Sequence, residues 1–261
     1  MYTRLTKLIL WLLTKYVHSF FKGKTVYVFS GVRRSGNHAC INWMANAVMQ
    51  QKTDMERQGY MVFQSSCETL LHLNEVNIFS PFDYAGYLRK NRRLIEKASV
   101  IFVSVEDLVP NEHTCLYYPK GSKVIYITRD ILSTLASRLA YNIKRAKDGI
   151  DRGDMHIDQN TFNLTKRIRT KTHVWEFDKW LSDSQWRSQF LARFNLQYDI
   201  EPAMSTQGGG STFHGQDKQA ATNMTDAQRW SKVEWSPRIK ELVKANPGLL
   251  SENEKAFTQS W

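Results

Sequence analysis

Between Ser30 and Gly36 the chain sets two arginines and two serines around two glycines, in the order Ser-Gly-Val-Arg-Arg-Ser-Gly, and Asn37 and His38 follow. Residues of these types at this spacing bind anions. Guanidinium forks match phosphate oxygens two at a time, and glycines let backbone N–H groups approach closely. Gly31 and Gly36 are spaced as in the G-x-x-x-x-G-K-[ST] phosphate loop, but Asn37 and His38 stand where its Lys and hydroxyl would be. The lysine that reaches a terminal phosphate and the hydroxyl that holds Mg²⁺ are both missing. The turn therefore reads as a site for a phosphate-bearing group, not for metal-dependent triphosphate chemistry. The plainer alternative is a strand-to-helix joint with solvated arginines.

Two further segments carry the same chemistry. Arg129 closes the apolar run Lys123–Thr128, and Ser137 lies eight residues after it on a helix-like stretch beginning near Ile131. An arginine at the carboxyl end of a strand faces the ligand crevice of an open α/β sheet, and a serine one to two helical turns on can turn toward the same anion. The alternative has Asp130 as a helix cap with Arg129 paired to a carboxylate. The third segment is Gln207-Gly-Gly-Gly-Ser-Thr-Phe-His-Gly215. Gly209 and Gly210 suit a loop wrapped closely around a ligand, Ser211 and Thr212 offer hydroxyls, and Phe213 offers a ring face; a flexible linker is the alternative.

The elements that must position these groups follow from pattern. Thr25–Phe29, Ser99–Val103 and Lys123–Thr128 are β-branched, aromatic and aliphatic runs of buried-strand length. Helix-like stretches follow the first and third, with Ile41, Met44, Ala45 and Val48 on one side of the first. A strand, a turn and a helix start make an anion site because unpaired N–H groups and the positive dipole end point at the ligand. The fold class expected is α/β, with a mostly parallel central sheet and helices on both sides.

Taken in order, Arg34-Ser35-Gly36-Asn37-His38, Arg129 with Ser137, and Gly208–Phe213 resemble the motifs of the PAPS-dependent sulfotransferases. The resemblance covers roughly residues 24–230. It implies a P-loop-kinase-like sulfotransferase fold with PAPS as sulfuryl donor, adenosine 3′,5′-bisphosphate as product and no metal. It implies that Arg33, Arg34, Ser35, Gly36, Asn37 and His38 hold the 5′-phosphosulfate and that Arg129 and Ser137 hold the 3′-phosphate. Gly209, Gly210, Ser211, Thr212 and Phe213 would close over the nucleotide. Arg34 stands where the cytosolic animal enzymes have Lys, and the cation of their final loop is missing from Gly208–Gly210. In-line transfer needs a group to take the acceptor's proton. The family's strand-end position corresponds to Glu106, with Asp107, Glu68, His72 and His38 as alternatives. Arg34, and His38 if it donates through a ring nitrogen, would stabilise charge on the leaving oxygen; His38 can equally be a first-turn residue without ligand contact.

The bulk properties admit this reading and others. The 261 residues carry 36 Lys+Arg against 25 Asp+Glu, a net +11, which favours anionic partners. A P-loop-like kinase or NTPase, or a non-enzymatic protein binding nucleic acid or anionic membrane, would share the charge; the favoured partner is a small-molecule acceptor, with no nucleic acid. Three scattered cysteines, Cys40, Cys67 and Cys115, show no zinc spacing and fit a reducing compartment, so a cytoplasmic location is expected. Cys40 reads as packing. Residues 1–22 read as an N-terminal amphipathic helix, and 23–261 as one domain. The apolar stretch Leu8–Leu13 is too short to span a membrane. Leu5, Leu8, Ile9, Leu12, Leu13, Tyr16, Val17 and Phe20 share a helical face. That face is expected to cover the sheet, with a membrane-surface contact through residues 3–20 as the alternative.

Residues 144–160 are a candidate lid in which Asp148, Asp151, Asp154 and Asp158, if helical, would share a face suited to a cationic acceptor. Residues 170–181 read as helix bearing Trp175, Phe177 and Trp180. Residues 226–261 read as terminal helices broken by Pro237 and Pro247, with Arg229 and Trp230 placed to brace the Gly-rich loop.

Overall fold

The computed structural model describes residues 2–49, 53–57, 60–64, 68–111, 116–147, 157–197 and 229–261. The fold is α/β. Strands β1 (Thr25–Gly31), β2 (Thr53–Arg57), β3 (Tyr60–Gln64), β4 (Thr69–Leu73), β5 (Val100–Glu106), β6 (Lys123–Thr128) and β7 (Val174–Glu176) form a mostly parallel sheet of seven strands in the order β2-β3-β4-β5-β1-β6-β7. β4 runs parallel to β5, and β6 to β7. β2, β3 and β4 pair antiparallel, a hairpin edge on an otherwise parallel architecture. The chain divides into two compact units, one of residues 1–30 and 44–125 and one of residues 31–43 and 126–261.

The first unit holds helices α1 (Tyr2–Ser19), α3 (Pro81–Lys90) and α4 (Arg92–Lys97). α3 starts where its sequence says it should. Ser80 accepts from the Asp83 N–H, and Pro81 occupies the first position, where its missing N–H leaves no bond unmade. Val26 and Val28 of β1, Leu71 of β4, Ile101 and Val103 of β5, and Tyr84 and Leu88 of α3 make the core. α1 contributes only its last turns, with Val17 buried and Leu13 partly so, and the turn after it adds buried Phe21 and partly buried Phe20. The expected buried face extends no further, because Leu5, Leu8, Ile9, Leu12 and Tyr16 are all exposed.

The second unit holds α2 (Asn37–Met49) only through Trp43, together with α5 (Ile131–Lys147), α6 (Gln159–Arg169), α7 (Phe177–Ser182), α8 (Ser184–Ala192), α9 (Pro237–Lys244) and α10 (Glu252–Thr258). Ile131, Leu132 and Leu135 of α5 pack with Phe162, Trp230, Trp235 and Val243. Residues 170–181 are not one helix. Val174 and Trp175 pair with Tyr126 and Ile127 as β7, and the chain turns helical only at Phe177. Two β-favouring residues beside an open strand win over helical spacing. The terminal prolines start structure instead of breaking it: Pro237 opens α9 behind the Ser236 cap, and Pro247 opens a 3₁₀ turn.

Candidate functional site

The basic turn lies wholly in the second unit from Gly31 onward. Three features shape it. The Ser35 N–H donates to the Val32 carbonyl at 3.0 Å, closing the turn, and the Ser35 hydroxyl donates to Asn37 Oδ1 at 3.1 Å. Arg34 takes a left-handed backbone, φ 74°, and Gly36 another, φ 101°. The Cys40 N–H then donates to the Gly36 carbonyl at 3.0 Å, the first bond of α2, so the positive dipole end of that helix lies at Gly36–His38. Both glycines are required by contact. A Cβ on Gly31 would meet Asn37 Oδ1, and one on Gly36 would sit 2.5 Å from Phe177 Cδ2. Gly36 thus lets the turn lie against the ring that follows β7.

α5 supplies the partners. Arg34 Nε donates to Ser137 Oγ at 3.2 Å, and its guanidinium lies 5.2 Å from the ring centre of Tyr141 one helical turn on. Arg138, buried, donates from Nε to the Arg33 carbonyl at 3.1 Å. Arg33 is tied by its carbonyl, and Ser35 and Asn37 are buried. His38 is half-buried in the first turn of α2. Cys40 is buried, and burial pushes its thiol well above the ordinary range, as packing requires.

Arg129 is placed at the end of β6, as its position after the strand predicted, and is buried. Its guanidinium lies 4.2 Å from the ring centre of Phe177, and Nε stands 3.5 Å from Asp130 Oδ2. Asp130 also caps α5: its Oδ1 accepts from the Ser133 N–H at 2.6 Å. Glu254 of α10, buried, takes the Leu132 N–H at 2.6 Å and the Ser251 N–H at 2.7 Å. Burial, and then the neighbouring Asp130 charge, push the Glu254 carboxyl up to about 7. The start of α5 is therefore closed by two acidic side chains of this chain, whereas the start of α2 carries no acidic side chain. Arg129, Asp130 and Glu254, with Arg169, Lys171 and Trp186, line a cavity of about 690 Å³; Arg34 and Ser137 do not line it.

Glu106 belongs to the first unit. It is buried at the end of β5, and its backbone is gripped twice by Asn77: Nδ2 donates to the Glu106 carbonyl at 2.9 Å, and the Glu106 N–H donates to Oδ1 at 3.0 Å. Asp107 turns the chain with φ 54°, and the Ser30 hydroxyl donates to the Leu108 carbonyl at 2.6 Å. Glu68 is exposed just ahead of β4. His72 is fully buried, with Nε2 3.2 Å from Ser104 Oγ. That hydroxyl donates to Asn74 Oδ1 and already accepts from the Glu75 N–H, so its proton is committed and His72 Nε2 is the donor. His72 is therefore engaged as a structural donor.

Gly209, Gly210, Ser211, Thr212 and Phe213 lie outside the described residues, as do Asp148, Asp151 and Asp154 of the expected lid and the cysteines Cys67 and Cys115. Asp158 instead caps α6, accepting from the Thr161 N–H. Trp230 braces α5, its Nε1 donating to Ser133 Oγ at 3.1 Å. Arg138, Asn77 and Glu254 were not singled out from sequence, and Phe177 was read there only as one aromatic of a helix-like stretch, not as the ring against Gly36 and Arg129. Among the described residues no group of three His, Cys, Asp or Glu side chains is arranged to hold a metal ion. No family model, no curated protein and no solved structure matches the chain.

Proposed function

We propose that the chain is a PAPS-dependent sulfotransferase of P-loop-kinase-like fold, working in the cytoplasm on a hydroxyl or amine of a small-molecule acceptor. The observation that carries the reading is the hydrogen bond from Arg34 to Ser137, 103 residues apart. Ser137 of the second motif meets Arg34 of the first on one face of α5, although each motif alone is explicable as a cap or a solvated joint. Their convergence beside the positive end of α2 supports a shared phosphate-bearing ligand.

The donor set fits such a group: two arginines in the turn, a serine hydroxyl and a helix start that carries no carboxylate. PAPS, when bound, supplies the sulfuryl group. Arg33, Arg34 and the first N–H groups of α2 would bind its 5′ side, and Arg34 would stabilise the negative charge left on the departing phosphate oxygen. His38, in the same first turn, adds a ring N–H. Ser137 and Arg129 hold the 3′-phosphate in this reading, which requires Arg129 to exchange Asp130 for phosphate. Glu106, fixed by Asn77 through its own backbone, accepts the proton that the acceptor hydroxyl or amine loses. No metal is called for.

Thermal melts test the reading. Adenosine 3′,5′-bisphosphate at about 100 times its Kd stabilises by about 2.7 kcal/mol. The shift is expected with the bisphosphate, weaker or absent with AMP, and lost in Arg34→Ala. A shift seen only with ATP and Mg²⁺ would move the chain to the kinases, and none with any nucleotide would remove the nucleotide site altogether.

A further inference from the structure

Seven of the ten large apolar side chains that the described residues leave exposed lie on α1: Leu5, Leu8, Ile9, Leu10, Trp11, Leu12 and Tyr16. Within that set, Leu8, Ile9, Leu10, Trp11 and Leu12 are consecutive and are 40–55% exposed. Consecutive residues on a helix point about 100° apart, so these five surround the axis and do not form one stripe. A protein groove of fixed shape takes a narrow stripe of side chains, whereas a fluid lipid interface takes side chains splayed over a wide arc of a helix.

The charges around the helix choose that medium. α1 contains no carboxylate, and Lys7 and Lys15 are exposed on it. α1 packs along α3, and α3 and α4 carry exposed Arg89, Lys90, Arg92, Arg93 and Lys97 against only Asp83 and Glu96. Pairing α1 with the same helix of a second copy would set Lys7 and Lys15 against their own kind. An acidic headgroup layer would neutralise them and the α3–α4 cations together.

We infer that α1 is a peripheral membrane anchor, its Leu8–Leu12 turns entering an anionic lipid surface while the cations of α1, α3 and α4 meet the headgroups. No described helix is long and apolar enough to cross a membrane. A helix lying in the plane of the surface buries its apolar side chains about 5–10 Å into the headgroup and acyl boundary, well short of the ~30 Å core. The surface would hold the protein where an amphiphilic or membrane-associated acceptor is concentrated, but the anchor stands without the catalytic proposal.

Co-sedimentation with vesicles of phosphatidylcholine containing about one-third phosphatidylglycerol tests it, in parallel with pure phosphatidylcholine. The expected result is binding to the anionic vesicles, falling at least tenfold in Leu8→Ser/Trp11→Ser and severalfold in Arg92→Gln/Arg93→Gln or at high salt. The substituted residues are exposed, and unchanged melting temperatures would show the fold intact. No binding to the anionic vesicles, or binding that both double variants leave unchanged, overturns the proposal. So does concentration-dependent dimerisation by sedimentation velocity that Leu8→Ser/Trp11→Ser abolishes without any vesicle binding, since α1 would then be a subunit interface.

Discussion

Arg34 is the residue where fold and chemistry pull apart. A non-glycine residue in left-handed backbone is less stable by roughly 1–2 kcal/mol, and Arg34 has φ 74°. Its compensation is the Ser137 hydrogen bond and the Tyr141 ring. Arg34→Gly relieves the backbone and loses those contacts, so its melting temperature should stay within a few degrees of the parent while the response to adenosine 3′,5′-bisphosphate disappears. A residue kept only for stability would show the reverse. Gly36 is the opposite case. Gly36→Ala meets both a positive φ and the Phe177 ring, and should lose about 2–4 kcal/mol from strain and overpacking together. Phe177→Leu in the same chain should recover part of that loss, and denaturant melts of the three variants measure the coupling. Arg138→Met keeps the stem but leaves the Arg33 carbonyl without its charged donor, a loss of about 1.5–3 kcal/mol by the same measurement.

At the scale of elements, α5 organises the site, and its start is where pH acts. Glu254 has its carboxyl raised from an ordinary 4.5 to about 7. The folded chain then holds a proton that the unfolded chain releases. Its stabilising contribution is complete below about pH 4.5 and is lost as pH rises through 7. At about 1.4 kcal/mol per pKa unit the span is on the order of 3 kcal/mol. Glu254→Gln removes the titration and should flatten stability between pH 5 and 7.5 in thermal melts, where the parent declines. Sequence pattern located β1, β5, β6 and the start of α5 because each is a compact apolar run or follows one. It could not locate β7, whose Val174 and Trp175 are strand only through pairing with β6. Nor could it show that the apolar face of α1 stops packing at Leu13, because burial depends on what lies opposite. The Arg34–Ser137 contact was legible as two anion motifs and not as a contact. Arg138 and Phe177, which hold the turn, act through a backbone carbonyl and a missing Cβ, and neither leaves a motif.

At the scale of the whole molecule, the proposed roles fall on different elements. Arg33, Arg34 and His38 follow β1, and Arg129 and Ser137 stand at the end of β6 and on α5, whereas Glu106 ends β5. Binding and proton removal should therefore separate experimentally. In hydrogen exchange, adenosine 3′,5′-bisphosphate should slow the amides of Ser35–Cys40 and the first turns of α5, and change those of β3 and β4 little. Glu106→Gln should keep that protection and the bisphosphate affinity, because the amide preserves the shape of the side chain and Asn77 holds only the backbone. Its sulfuryl transfer should fall by ~10²–10⁴, the range expected when a positioned general base is removed. A Glu106→Gln variant with near-full turnover would move the base to another group, with Asp107 the first to test. One that loses bisphosphate affinity as well would show that Glu106 supports the nucleotide site and is not confined to proton transfer.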